Sequence, residues 1–134
     1  MFRANYKNFT ISAKFDGLKV APWDDCNDGH NVIFVKNNNN GKKTSFDFWG
    51  SRVNPVVKTE YEILNAFYCF VSDAVSGLDS FYDFCRNFGY DEDSRSAEKT
   101  WKACRKSLGK FERVSEFSTD EIYNFLNELC EVAG

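Results

Sequence analysis

The chain has 134 residues, 43% hydrophobic and 17% aromatic, with 14 Phe, a composition that fits one folded domain with its own core and excludes a disordered tail. No apolar run approaches the roughly 18 residues that a membrane-spanning helix requires, and the start, MFRANYKNFT, lacks the apolar stretch of a secretory signal. The formal net charge of -3 is the sum of a basic stretch, +4 over residues 1–58, and an acidic one, -7 over residues 59–134; the second repels bare nucleic acid and attracts basic protein.

Taken in chain order, Phe9, Ile11, Ala13 and Phe15 alternate with Thr10, Ser12 and Lys14, the period of a strand with one buried face. Asp16-Gly17 is a strong hairpin signal, followed by a short second strand, Leu18 to Ala21, that Pro22 ends. Asn31 to Lys36 (NVIFVK) predicts a third strand, Asn37 to Gly41 a polar loop tolerant of positive φ, and Lys43 to Trp49 a fourth strand with Phe46 and Phe48 on one face. These segments predict an antiparallel meander whose aromatic face the helical part of the chain can cover.

Pro55 keeps Val53 to Lys58 extended. Thr59-Glu-Tyr-Glu62 is a capping box, and Leu64, Phe67, Val71, Ala74 and Val75 then recur at helical spacing up to Ser76-Gly77. Asp79 is placed to cap a short helix through Asn87 that carries Phe81, Phe84 and Cys85 and stops at Gly89. Asp93 or Ser94 caps the next helix, whose apolar positions are Ala97, Trp101, Cys104, Leu108 and Phe111. Its cations Arg95, Lys99, Lys102, Lys106, Lys110 and Arg113 fall within roughly an 80° arc on the opposite side. A second capping box, Ser118-Thr-Asp-Glu121, opens the last helix, with Ile122, Phe125, Leu126 and Leu129 inward. The predicted fold class is α+β: a single domain over residues 1–134, with a β-rich half (1–57) of about four antiparallel strands and a helical half (58–134) of about four helices.

The chemistry-bearing residues are sparse. Five cysteines, Cys26, Cys69, Cys85, Cys104 and Cys130, are odd in number and widely spaced, and read as reduced thiols, three of them within apolar helical patterns. The single histidine, His30, ends the run Asp24-Asp25-Cys26-Asn27-Asp28-Gly29-His30, which lacks the paired ligand clusters of a zinc site and the oxygen spacing of a calcium loop. It reads as an exposed acidic turn. Neither a GxxxxGK[ST] loop nor a GxGxxG after a strand occurs. A Cys–His nucleophile would have to use His30 with Cys26 or with a helical cysteine that reads as buried. No catalytic residue, metal or cofactor is therefore expected.

The stripe Lys99, Lys102, Lys106 and Lys110 is the candidate nucleic-acid face, since cations one turn apart can track phosphates. With the short helix and the Gly89 turn before it, it weakly resembles a helix-turn-helix. The acids Asp91, Glu92 and Asp93 stand where base contacts would be made, and capping and the helix dipole explain them better. Lys42, Lys43, Arg52 and Lys58 alternate with aromatics as on a stacking platform, but Phe46 and Phe48 share one side and are expected to line the core.

The block FCRNFGYDEDSRSAEKTWKAC, with a sheet before it and STDEIYNFLNEL after it, resembles a family of small phage and mobile-element proteins. Members join a variable β-rich N-terminus to a helical end with an FGYDEDS-like turn and an AEK-aromatic-KA-type helix. The match is specific over about Phe84 to Cys104. The resemblance implies a phage or prophage accessory protein, expected in the bacterial host cytosol, and the sparse chemistry-bearing residues predict no enzymatic activity. Some small phage proteins of this kind are anti-CRISPR or other anti-defence inhibitors. The expected function is that of an inhibitor that binds a host defence protein such as a CRISPR nuclease and blocks DNA or guide binding or activation. Glu60, Glu62, Asp91, Glu92, Asp93, Glu128 and Glu131 are the candidate partner-binding residues, acids that would face a positively charged channel. The alternatives are a small DNA- or RNA-binding regulator using the basic helix face, and a phage structural or assembly adaptor.

Overall fold

The computed structural model describes residues 1–23 and 26–134, and its element order is that of an α+β fold: β1 (Phe2–Tyr6), β2 (Phe9–Val20), β3 (Asn27–Asn37), β4 (Lys43–Gly50), then α1 (Glu60–Ser76), α2 (Phe81–Phe88), α3 (Arg95–Ser115) and α4 (Thr119–Ala133). The strands form one antiparallel meander in the order β1-β2-β3-β4. The chain divides into two compact units, Met1–Phe67 with Ala133, and Tyr68–Val132 with Gly134. No helix among the described residues is long and apolar enough to cross a membrane.

Two expectations about the sheet are corrected. Asp16-Gly17 is not a hairpin turn, and Leu18 to Ala21 is not a separate strand. Phe15 pairs with Asn31 and Leu18 with Gly29, so Asp16 and Gly17 together oppose His30 alone. This is a β-bulge in one long strand, with Gly17 at φ 98. The fourth strand is instead β1, joined to β2 through Lys7 and Asn8 with Lys7 at φ 52. Tyr6 and Phe9 pair directly, so the connection has the two-residue length of a tight hairpin although it contains no glycine.

In the first unit, the alternation holds through Ala13, whereas Phe15, expected on the buried face, is exposed where the bulge begins. Phe9, Ile11 and Ala13 of β2 and Ile33 and Val35 of β3 are fully buried on one face. From α1, Ile63 and Phe67 join that core, the Phe67 ring 5.8 Å from Phe9. Phe46 and Phe48 point to the same side, opposite Ile33 and Asn31, and are half-buried. The extended segment after β4 crosses the sheet at Gly29 and Gly50, which pair with each other. A Cβ on either would run into the carbonyl of Pro55.

In the second unit, Phe111 is the hub. Its ring lies 6.2 Å from Phe70, 5.6 Å from Phe125 and 5.9 Å from Phe117. Of the expected α3 stripe, Ala97, Cys104, Leu108 and Phe111 are buried and Val114 extends it, whereas Trp101 is only half-buried. Gly77 sits against α3 so closely that a Cβ would stand 2.5 Å from the carbonyl oxygen of Cys104. Both capping boxes form: Thr59 and Glu62 bond reciprocally at 3.1 Å each, and Ser118 and Glu121 likewise at 3.0 and 3.3 Å. One cap moves by a residue. Ser80, not Asp79, is the N-cap of α2 and accepts from the Asp83 amide at 3.2 Å. Asp79 is left to accept from the Asn87 side chain and, through its carbonyl, from the Trp101 indole at 3.0 Å.

Candidate functional site

The candidate acids occupy separate places. Glu62 is committed to its capping box and also accepts from Asn54 at 3.3 Å. Its carboxyl is held below the usual range first by the Thr59 hydroxyl, against some burial. Glu60 is exposed in the same first turn. In the second unit, Glu128 and Glu131 are exposed on α4, and Asp91, Glu92 and Asp93 are exposed in the turn between α2 and α3.

That turn is the best-built of these locations. Gly89 takes the left-handed conformation at φ 71 and ends α2, and the Tyr90 amide bonds back to the Cys85 carbonyl at 2.9 Å. This is a Schellman closure. Asp91 Oδ1 accepts from the Asp93 amide at 3.1 Å, and Ser94 caps α3 by accepting from the Ala97 amide at 3.2 Å. The corner is fixed by backbone geometry at both ends.

Aromatic rings share the corner with the acids. Phe84 is 1% exposed, and Phe88 packs against it at 4.8 Å while Tyr90 stacks on it at 5.9 Å with an interplanar angle of 19°. The outer rings stay in solvent, Phe88 at 55% and Tyr90 at 39%. Rigid half-exposed aromatics beside carboxylates are the make-up of an interface anchor with a polar rim. The sequence displayed the acids. The rings went unassigned because Phe88 and Tyr90 flank a helix stop, where helical periodicity gives no facing.

The basic stripe of α3 is less open than the sequence implies. Lys99 and Lys106 are exposed, but Lys102 pairs with Glu98 at 2.9 Å and Lys110 is half-buried. Arg105 lies over Trp101 at 5.6 Å and donates to the Gly77 carbonyl at 3.1 Å. Glu98 interrupts the run of positive charge that phosphate tracking needs.

The end of the acidic run is not an exposed turn: Asn27 to His30 open β3, and His30 is half-buried there in an environment the sequence did not reveal. Its Nδ1 is 2.9 Å from Asp16 Oδ2 and its Nε2 is 2.9 Å from Asp47 Oδ1. Only the imidazolium can donate from both nitrogens. Burial opposes that charge, and the bonds to Asp47 and Asp16 outweigh it, raising the pKa above 6.5. The Trp49 ring lies against it at 4.7 Å, and Trp23 meets Trp49 edge-on at 5.7 Å. With both ring nitrogens facing carboxylates, His30 is no base for a Cys26 thiol. Asp24 and Asp25, the start of the acidic run read from the sequence, lie outside the described residues. Among the described residues no group of three His, Cys, Asp or Glu side chains could hold a metal ion.

No protein-family model matches the chain, and no curated protein or solved structure matches it.

Proposed function

We propose that the chain acts by binding, as a non-enzymatic inhibitor of a bacterial defence protein, with a CRISPR nuclease as the target class. The observation that carries the binding reading is the α2–α3 corner: Phe88 and Tyr90 half-exposed on buried Phe84, next to the exposed carboxylates of Asp91, Glu92 and Asp93. Such a corner suits a basic protein surface with apolar pockets. The rings supply burial and the acids supply charge complementarity. A nuclease channel that holds nucleic acid is a surface of that kind, and occupying it would block DNA or guide loading. The target class itself comes from the resemblance of the Phe84 to Cys104 block to phage proteins.

The test is DNA cleavage by a panel of purified CRISPR nucleases, with the protein added before or after guide RNA and target. Loss of cleavage with the intact chain, restored by combined Phe88→Ala and Tyr90→Ala, supports the reading. Undiminished cleavage across the panel at micromolar protein overturns the inhibitor assignment.

A further inference from the structure

The outer face of the sheet, on the side away from the Phe9–Ile33 core, carries an organisation that the inhibitor reading does not use. Strand register fixes its rows. Asn5, Thr10, Lys36 and Lys43 lie side by side across the four strands, and Arg3, Ser12, Phe34 and Ser45 form the adjacent row. Residues directly opposite on antiparallel strands share a face. Phe34 is therefore the aromatic centre of a polar, basic surface, and it is 40% exposed.

These residues line a depression of about 470 Å³, with Arg3, Thr10, Ser12, Phe34, Lys36 and Lys43 among its walls. Three cations line it, and among the described residues lining it none is acidic. Lys14 extends the positive charge to the next row, opposite Val32. Asp47 also stands opposite Val32, on β4, and its carboxylate is held by His30.

The pairing of Lys36 with Lys43 is the telling feature. Like charges directly opposite on neighbouring strands oppose the fold, and here both line the same hollow as the exposed Phe34 ring. A bound anion between the two ammonium groups turns that repulsion into attraction. An aromatic face ringed by cations and hydroxyls fits a ligand having both a flat ring and a phosphate. In single-stranded nucleic acid, bases stack on side-chain rings while the backbone follows a basic groove. A duplex hides its base faces and would leave Phe34 unused.

We propose that this sheet face is a binding site for single-stranded nucleic acid, with one base stacked on Phe34 and the phosphates on either side held by Lys36, Lys43 and Arg3. The site lies wholly in the first unit and is independent of the α2–α3 corner, so the two readings stand or fall separately.

The experiment is fluorescence anisotropy of the full chain with labelled 15-mers of oligothymidine and oligouridine and with a 15-base-pair duplex, from low to physiological salt. Expected are single-strand binding over duplex and a slope of log K against log salt of about -1.4, for the two phosphates that flank the stacked base. Stronger binding by one of the two oligomers assigns the preferred sugar. Phe34→Ala should weaken binding about tenfold and Lys36→Glu with Lys43→Glu more than that, whereas Lys99→Glu with Lys106→Glu on α3 leaves it unchanged. Circular dichroism and thermal unfolding of each variant verify the fold, and Lys36→Gln should not lower the midpoint, because it removes a repulsion. Absence of single-strand binding at low salt, duplex binding as tight as single-strand binding, or binding indifferent to Phe34 overturns the proposal. So does capture of polyglutamate in place of either oligonucleotide, which would mark an acidic protein as the occupant.

Discussion

Asn31 fastens Val57 to the sheet: its Oδ1 accepts the Val57 amide at 3.1 Å, while its Nδ2 donates to the carbonyls of Pro55 at 2.9 Å and Gly29 at 3.2 Å. Asn31 is fully buried, and Val57 is 5% exposed. One side chain thus satisfies the backbone of a segment that belongs to no helix or strand. Replacing it with Ala orphans the Val57 amide and the Pro55 carbonyl, each at a cost of about 1–3 kcal/mol. Asn31→Ala should therefore lower unfolding free energy by roughly 3 kcal/mol, measured by urea denaturation. A loss no larger than that of an exposed control such as Asn39→Ala would show that water takes over both groups.

The clasp of His30 between Asp16 and Asp47 makes stability depend on pH. The folded-state pKa of His30 is raised above its ordinary 6.5 because the two carboxylate bonds outweigh burial. A raised histidine contributes stability that is complete below the unfolded pKa and is lost as pH rises through the folded one. Asp16 is shifted the other way, held low first by Lys19 and then by His30, so its share is lost as pH falls through its folded pKa. Thermal midpoints should therefore fall as pH rises through neutrality, and His30→Gln should flatten that fall. An unchanged profile in the variant would remove His30 as its source.

How much of this was legible depended on how local the determinant is. Capping boxes at Thr59 and Ser118 and the stripe from Ala97 to Phe111 are written within a few residues, and the structure has them where the pattern put them. Asp16-Gly17 misled because a positive-φ glycine serves a bulge as well as a hairpin. Only the pairing partner distinguishes them, and that partner is His30, fourteen residues away. The hairpin at Lys7-Asn8 was hidden because it lacks the glycine that marks such turns.

The candidate sites divide in the same way. The acids of the Asp91–Asp93 turn could be read directly, whereas the facing of Phe88 and Tyr90 needed the Gly89 closure in three dimensions. Phe34 sits in NVIFVK, a run that marks a strand without showing what surrounds Phe34. Alternation places Asn31, Ile33 and Val35 inward and Phe34 outward, but the basic neighbours that give Phe34 meaning, Arg3 and Lys43, come from strands at the two edges of the sheet.

The five thiols should differ sharply in reactivity. Burial, helped by the charge of Asp73, pushes the Cys104 thiol up to about 11, so almost none is thiolate at pH 8. Cys85 is buried too, whereas Cys130 is exposed on α4. Ellman's reagent should modify Cys130 in a fast phase that Cys130→Ser removes, with Cys104 reacting only as the chain unfolds. Fast labelling of Cys104 in the native protein would contradict its burial.

Binding at the α2–α3 corner should separate into anchor and steering effects. Phe88 and Tyr90 are half-exposed rings on Phe84, so truncating either should cost about 1 kcal/mol of folding stability, read separately by thermal unfolding, and each would also empty a pocket on the partner. Losses of about 2 kcal/mol or more are typical for such anchors, roughly 30-fold in affinity, and they should appear in the off-rate. Reversing Asp91, Glu92 and Asp93 to Lys should mainly slow association and remove its salt dependence, since exposed rim charges steer more than they hold. Glu62→Ala should behave differently, weakening α1 by about 1 kcal/mol through its lost cap without changing the association rate. Glu128→Lys with Glu131→Lys probes whether α4 belongs to the same surface. Surface plasmon resonance against an inhibited nuclease distinguishes these outcomes. If the aromatic truncations leave the off-rate unchanged while the Glu128 and Glu131 reversals abolish binding, the interface lies on α4 and not at the corner.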